Sequence, residues 1–215
     1  MKYDPTKHHR RSIRLKNYDY SAAGLYFVTI CTQHRELRFG DVVDGHIKLS
    51  KAGTMVQSIW GELPARFPNI DLDEFVVMPN HFHGILIINP VGAGLVPARD
   101  VPAQSRQPRS GQPQGLPQQD ESGQTVGAGL VPAHLGDIIG AFKSITTHQY
   151  IQGVKNEGWP PFDRRLWQRN YWEHIIRTET ALHQIRAYIQ NNPARWTEDQ
   201  LHPDAPPNKF NRQLP

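Results

Sequence analysis

Cysteine is almost absent from this 215-residue chain, which carries only Cys31. A single thiol excludes a disulfide scaffold and every zinc site built on paired cysteines, and it fits a reducing, cytoplasmic setting. Long apolar runs are missing too. Nothing approaches the ~20 consecutive apolar residues of a membrane-spanning helix, so no membrane partner is expected. The opening residues, Met1 to Arg11, contain no apolar core and do not read as a secretory signal. Charge is nearly balanced, with 24 Lys+Arg against 20 Asp+Glu and a net +4. Together with a pI near 9.3, this favours a polyanionic partner only mildly. Finally, residues 91–134 lack Phe, Trp and Tyr and are rich in Gln, Gly and Pro. Such a stretch buries too little apolar surface to offset its ordering entropy, and it reads as a flexible, low-complexity insertion.

The remainder divides around that insertion. Residues 1–20 form a basic arm, in which Arg10, Arg11 and Arg14 stand out as candidate phosphate contacts. Residues 21–90 and 135–196 make one domain, and 197–215 a C-terminal tail. The insertion is bracketed by a repeat, Val91-Gly92-Ala93-Gly94-Leu95-Val96-Pro97-Ala98 recurring from Val126 to Ala133. Two copies are too few for a solenoid.

Leu25–Thr32 is β-branched and aromatic and predicts a strand. Val42–Leu49 predicts a hairpin turning at Asp44-Gly45. Met55, Ile59, Trp60 and Leu63 recur at helical spacing within 52–66. Strands follow over 72–78 and 83–88, joined at Pro79-Asn80, then a helix over 137–151 with Ile138, Ile139, Phe142 and Ile145 on one side. Leu166–Ile176 reads as a last strand, and Thr178 caps a helix that Pro193 stops near Asn192. That order predicts an α+β fold, a ferredoxin-like split βαβ with a central antiparallel sheet and packed helices.

Two constellations carry chemistry. In His81-Phe82-His83 the strand period places both imidazoles on one face and Phe82 on the other, a two-point grip for a metal. Polar histidines on a solvated face are the commoner meaning of such a pair. Here, however, it follows a Pro-Asn turn and leads into Gly84-Ile85-Leu86-Ile87-Ile88, which looks buried. Two histidines do not close a structural zinc site, so positions would stay open for a ligand. On the last helix, Tyr188 and Asn192 lie four residues apart and share a face flanking Leu182, Ile185 and Ile189.

Taken in order, these stretches resemble the HUH single-tyrosine transposases, and within them the REP-associated tyrosine transposases. Met78-Pro79-Asn80-His81-Phe82-His83-Gly84 resembles the family's HUH strand. Ile139-Gly140-Ala141-Phe142-Lys143-Ser144 resembles the following helix. The run Leu166 to Arg177 resembles its Trp-Gln-Arg…Glu-His segment, and Ile185 to Pro193 its nucleophile helix. The resemblance implies that Tyr188 attacks a phosphodiester of single-stranded or hairpin DNA, leaving a 5′-phosphotyrosine and a free 3′-hydroxyl. It implies Mg²⁺ or Mn²⁺ at His81 and His83, with Asn192 where the family often has Gln. Lys143, Arg164, Arg165, Trp167, Gln168, Arg169 and Tyr171 become candidate DNA contacts, and Glu173 and His174 candidate supports of the site. Tyr171 is the rival nucleophile; its other reading is an aromatic packed against a helix. His8-His9 has no expected metal role. A bacterial cytoplasmic protein is implied, associated with the nucleoid when DNA-bound, as a monomer or homodimer. The Gly-rich, Pro-bearing repeats are read as two translated palindromic elements, which requires their coding DNA to fold into hairpins.

Two rivals stand beside this reading. One is a hairpin-binding protein that keeps the fold and the DNA grip without cutting. The other, a barrel-type hydrolase with H-x-H at a strand end, needs about 250 residues and metal ligands this chain does not supply.

Overall fold

A computed structural model describes residues 14, 15, 17–90 and 133–206; Arg10, Arg11 and nearly all of the 91–134 insertion lie outside them. Strand β1 (Gly24–Cys31) alternates between buried and half-buried positions. Strands β2 (Gly40–Val43) and β3 (His46–Leu49) form the expected small hairpin. Its turn residues Asp44 and Gly45 both take positive φ, 51° and 74°, the pair of left-handed conformations that a type I′ turn requires.

Ser50 caps helix α1 (Lys51–Gly61), its hydroxyl accepting from the Gly53 amide. The short helix α2 (Leu63–Arg66) follows after Glu62. Pro64 has no amide proton to continue the α1 ladder, which explains why 52–66 is two helices and not one. Strands β4 (Ile70–Met78) and β5 (His81–Ile88) meet at the Pro79-Asn80 turn. Helix α3 (Leu135–Glu157) runs longer than its apolar stripe predicted and ends on Gly158 at φ 69°, a left-handed cap that favours glycine. Strand β6 (Trp172–Ile176) leads to helix α4 (Glu179–Asn191), where the Thr178 side chain accepts from the Ala181 amide.

The four long strands stand in the order β4-β5-β1-β6, and every neighbouring pair is antiparallel. It follows that β1 and β4 run parallel with β5 between them, and β5 and β6 run parallel with β1 between them. These are two interleaved split βαβ units, the ferredoxin-like α+β plan expected from the element order. The β2–β3 hairpin forms a separate sheet.

Strand periodicity gives this sheet two unlike faces. Tyr26, Val28, Ile30, Phe82 and Leu86 face α1 and α3, where Phe82 meets Trp60 and Phe142 at ring-centroid distances of 4.5 and 5.3 Å. A Cβ on Gly84 would come within 2.8 Å of ring atoms of Trp60 and Phe82, so glycine is what lets those rings lie against the strand. On the opposite face Leu25, Phe27 and Ile85 pack with Leu182, Ile185 and Ile189 of α4. His81 and His83, in phase with Ile85, fall on this second face.

The Leu166–Ile176 strand is shorter than expected. Only Trp172–Ile176 pairs as β6. Residues 166–168 instead cross the end of β1, through Gln33 N to Leu166 O, Gln168 N to Cys31 O and a bridge between Thr32 and Trp167. Burial of the aromatic side chains explains this: Trp167 and Tyr171 are 3% and 8% exposed and both belong to the α1/α3-side core.

Candidate functional site

The site grows from three adjacent strands and one helix. In register, His83 stands opposite Thr29 of β1, and Thr29 stands opposite Trp172 of β6. One row thus runs across the α4 face of the sheet. Over it lies α4, held to β4 by a two-pronged contact in which Arg186 Nε and Nη2 donate to Asp73 Oδ1 and Oδ2 at 2.8 and 2.5 Å. This places the Tyr188 hydroxyl 3.3 Å from His83 Nε2. The phenol is neither buried under apolar neighbours nor turned from the histidines. Its residue is 46% exposed, with the hydroxyl directed inward.

Both histidines are buried, with ring centroids 4.6 Å apart. Each has its Nδ1 engaged: His81 with Asn80 Oδ1 and His83 with Thr29 Oγ1, both at 2.8 Å. Burial holds the imidazoles neutral. It pushes His81 down to about 3, which the nearby Asn192 side chain partly opposes, and pushes His83 well below its ordinary range, with His81 adding to the effect. The Tyr188 phenol is pushed up to about 12, first by burial and then by the charge of Asp199. Cys31, the single thiol, lies in the same cavity and is pushed up to about 11 by burial, so it is no thiolate nucleophile.

Asn192 caps α4 and is buried. Its Nδ2 donates to Asp199 Oδ2 at 3.1 Å, leaving its Oδ1 buried without a hydrogen-bond partner among the described residues, as is His81 Nε2. Asp199 lies in the stretch read as a tail, after the short helical turn Trp196–Glu198. Its carboxylate stands 3.9 Å from His81 Nε2. Ligand atoms of His81, His83 and Asp199 all lie within 4.8 Å of one another. An unsatisfied imidazole nitrogen, an unsatisfied amide oxygen and a carboxylate are all electron-pair donors, so these residues fit a cation.

A cavity of about 790 Å³ opens beside this cluster. Phe27, Thr29, His83, Tyr188 and Asn192 line its floor, and Trp172, Arg35 and Arg195 help form its walls.

The other sequence candidates separate into two groups. Gln168 lines the cavity and donates to Thr32 O. Arg164, Arg165 and Arg169 are exposed. Lys143 donates to the carbonyls of Gln168 and Arg169 at 2.5 and 3.0 Å and is lowered to about 8, mainly by burial; it clamps the 168–169 turn. Arg14 donates to the Tyr171 hydroxyl at 2.6 Å. Trp167 donates its Nε1 to Thr146 Oγ1 at 2.8 Å. As DNA contacts Trp167 and Tyr171 must be set aside, because rings spent on the core have no face to offer a base. Tyr171 as a nucleophile goes with them, its ring lying in the α1/α3-side core, away from the histidines, with its hydroxyl accepting from Arg14. Glu173, opposite Val28, accepts from the Tyr20 hydroxyl at 2.7 Å on the far face of the sheet, and both it and His174 border the cavity.

Sequence reasoning missed Thr29, Asn80, Trp172 and Asp199. Thr29, the one aliphatic hydroxyl inside the otherwise apolar β1, carried a signal. Asp199 carried none, since Pro193 interrupts the helical pattern before it.

Fold and site together define a class: an antiparallel α+β sheet whose central strand presents a buried His-x-His to a tyrosine on a covering helix. An uncharacterized protein of Haemophilus influenzae strain Rd is 40% identical over 203 residues, which are 94% of this chain and 98% of its own; the chain belongs to the same family as that protein. No family model matches it. Among solved structures it is similar to a REP-associated tyrosine transposase bound to a REP hairpin, with a TM-score of 0.49, 16% identity, and coverage of 89% of this chain and 77% of that one. It is also similar to a candidate transposase of Deinococcus radiodurans, with a TM-score of 0.40, 16% identity, and coverage of 84% and 97%.

Proposed function

We propose that the protein is a divalent-metal-dependent endonuclease and strand transferase for single-stranded or hairpin DNA, with Tyr188 as nucleophile. The observation that carries this is the 3.3 Å approach of the Tyr188 hydroxyl to His83 within a cluster of unsatisfied electron-pair donors. The ordered motif resemblance supplies the substrate class.

His81, His83 and Asn192 would hold the ion, with Asp199 beside them; nitrogen and oxygen donors together suit Mn²⁺, and Mg²⁺ through the oxygens. Bound there, a divalent cation supplies positive charge against the phosphodiester oxygens. Everything else is the chain's own work. Helix α4 fixes the phenol above the strand row, so attack needs no large rearrangement. The phenol oxygen bonds to phosphorus and the bond from phosphorus to the 3′ oxygen breaks. The phenol proton passes to water, and the departing 3′ oxygen takes one up. The product ester keeps the diester's transfer potential, and a 3′-hydroxyl of a second strand displaces Tyr188 in the reverse sense. Arg35 and Arg195 supply cationic walls for the backbone. Trp172, 52% exposed and two strand spacings (roughly 10 Å) from His83, offers a ring for an unpaired base.

The test is incubation with single-stranded hairpin DNA from the flanks of the protein's own gene, with Mn²⁺. A denaturation-resistant protein–DNA adduct is expected, mapping to Tyr188 and lost in Tyr188→Phe. Hairpin binding with no adduct from the wild-type protein would leave the binding-only reading in its place.

A further inference from the structure

The orientation of Asn80 is fixed by hydrogen bonding. Its Nδ2 donates to two backbone carbonyls, Arg35 O at 3.2 Å and Leu201 O at 2.8 Å. Carbonyls only accept, so the amide cannot be flipped without losing both bonds. Its Oδ1 therefore faces His81 Nδ1 at 2.8 Å, and an amide oxygen accepts. His81 must then carry its proton on Nδ1, which leaves Nε2 as a bare lone pair. That Nε2 is the buried atom with no partner among the described residues.

The chain of bonds continues past Asn80. Leu201, whose carbonyl Asn80 holds, donates its amide to Asp199 Oδ1 at 2.6 Å, and Asp199 Oδ2 accepts from Asn192 Nδ2 at 3.1 Å. With its NH₂ committed to Asp199, Asn192 presents Oδ1, the other orphan. Both ends of one hydrogen-bonded path, His81–Asn80–Leu201–Asp199–Asn192, are thus buried electron-pair donors, and Asn192 lines the cavity.

We infer that Asn80 is a positioning residue: it fixes His81 in the Nδ1–H tautomer and so keeps Nε2 available as a cation ligand. The inference rests on the proposed metal site for its purpose, but the tautomer itself does not. Outer groups that orient ligating histidines are commonly worth 10–100-fold in metal affinity. Asn80 touches neither substrate nor reacting atoms; it acts only through His81 and through the 199–201 segment.

The experiment is a long-range ¹H–¹⁵N spectrum of ¹⁵N-histidine-labelled full-length protein, free of metal and DNA, with Mn²⁺ titrations alongside. The wild-type protein is expected to show His81 protonated on Nδ1. Asn80→Ala is expected to shift it to Nε2–H and to weaken Mn²⁺ binding 10–100-fold. Asn80→Asp, which keeps an acceptor, is expected to retain Nδ1–H, and it decides the matter if the alanine variant does not fold. A wild-type His81 protonated on Nε2 overturns the inference. So does an Asn80→Ala protein with unchanged tautomer or unchanged Mn²⁺ affinity, or an Asn80→Asp protein with Nε2–H. A protein that shows the expected tautomer but binds no Mn²⁺ overturns the positioning role and the metal in the proposed function, while absence of DNA cleavage alone touches only the latter.

Discussion

Two imidazoles held neutral in the interior tie the site to acid sensitivity. Free histidine titrates near 6.5 in an unfolded chain, whereas His81 in the fold is pushed down to about 3 and His83 well down in the same direction. Below 6.5 the unfolded chain therefore binds protons that the folded chain refuses. Their stabilising contribution is present above pH 6.5 and is lost as pH falls toward about 3. In chelator-treated protein the urea midpoint is expected to fall between pH 7 and 5, above the range where most carboxylates titrate. His81→Gln should flatten that slope; an unchanged slope would mean that the imidazole is solvated in the native state. At this scale the sequence was informative where geometry is periodic. Strand alternation puts His81 and His83 on one face and helical spacing does the same for Tyr188 and Asn192, while the family resemblance singled these four out as a site. Thr29 and Asn80 are defined by hydrogen bonds to segments far away in the chain, and Asp199 by its approach to His81, and no local period encodes those pairings.

Strand β5 is anchored by the residue between its histidines. Phe82 is fully buried against Trp60, Phe75 and Phe142, so Phe82→Ala is expected to cost about 3–5 kcal/mol in denaturant unfolding, loosening both flanking histidines at once. Strand β6 has a different task. Its first residue, Trp172, is expected to stack on unpaired bases, and Trp172→Ala should weaken single-stranded DNA binding by about 1–3 kcal/mol in a fluorescence titration without changing the melting temperature. An unchanged affinity would remove the base from that wall. The aromatic run from Leu166 to Ile176 misleads at this level because its residues serve two opposite faces. Composition reports strand propensity, but only tertiary contact decides which rings are swallowed and which are offered.

For the molecule as a whole, the element order sufficed to predict the split βαβ topology, since connections of that kind leave few arrangements of four strands. The place of the insertion follows from the same plan. β5 begins at His81 and ends at Ile88, seven residue steps or about 23 Å away. Ile88 pairs with Gly24, and the α3 entry is tied nearby by Leu135 N to Tyr20 O. The chain therefore leaves and re-enters at the pole remote from the histidines. Replacing 91–132 with a short Gly-Ser linker is expected to leave the melting temperature within a few degrees and the Tyr188 adduct intact. Loss of either would show that the segment packs on the domain.

That polar separation also makes the protein easy to instrument. A fluorescent domain spliced between Pro90 and Ala133 would report the whereabouts of the protein with its histidine cluster undisturbed, because the cargo and the cluster would occupy opposite ends of one sheet.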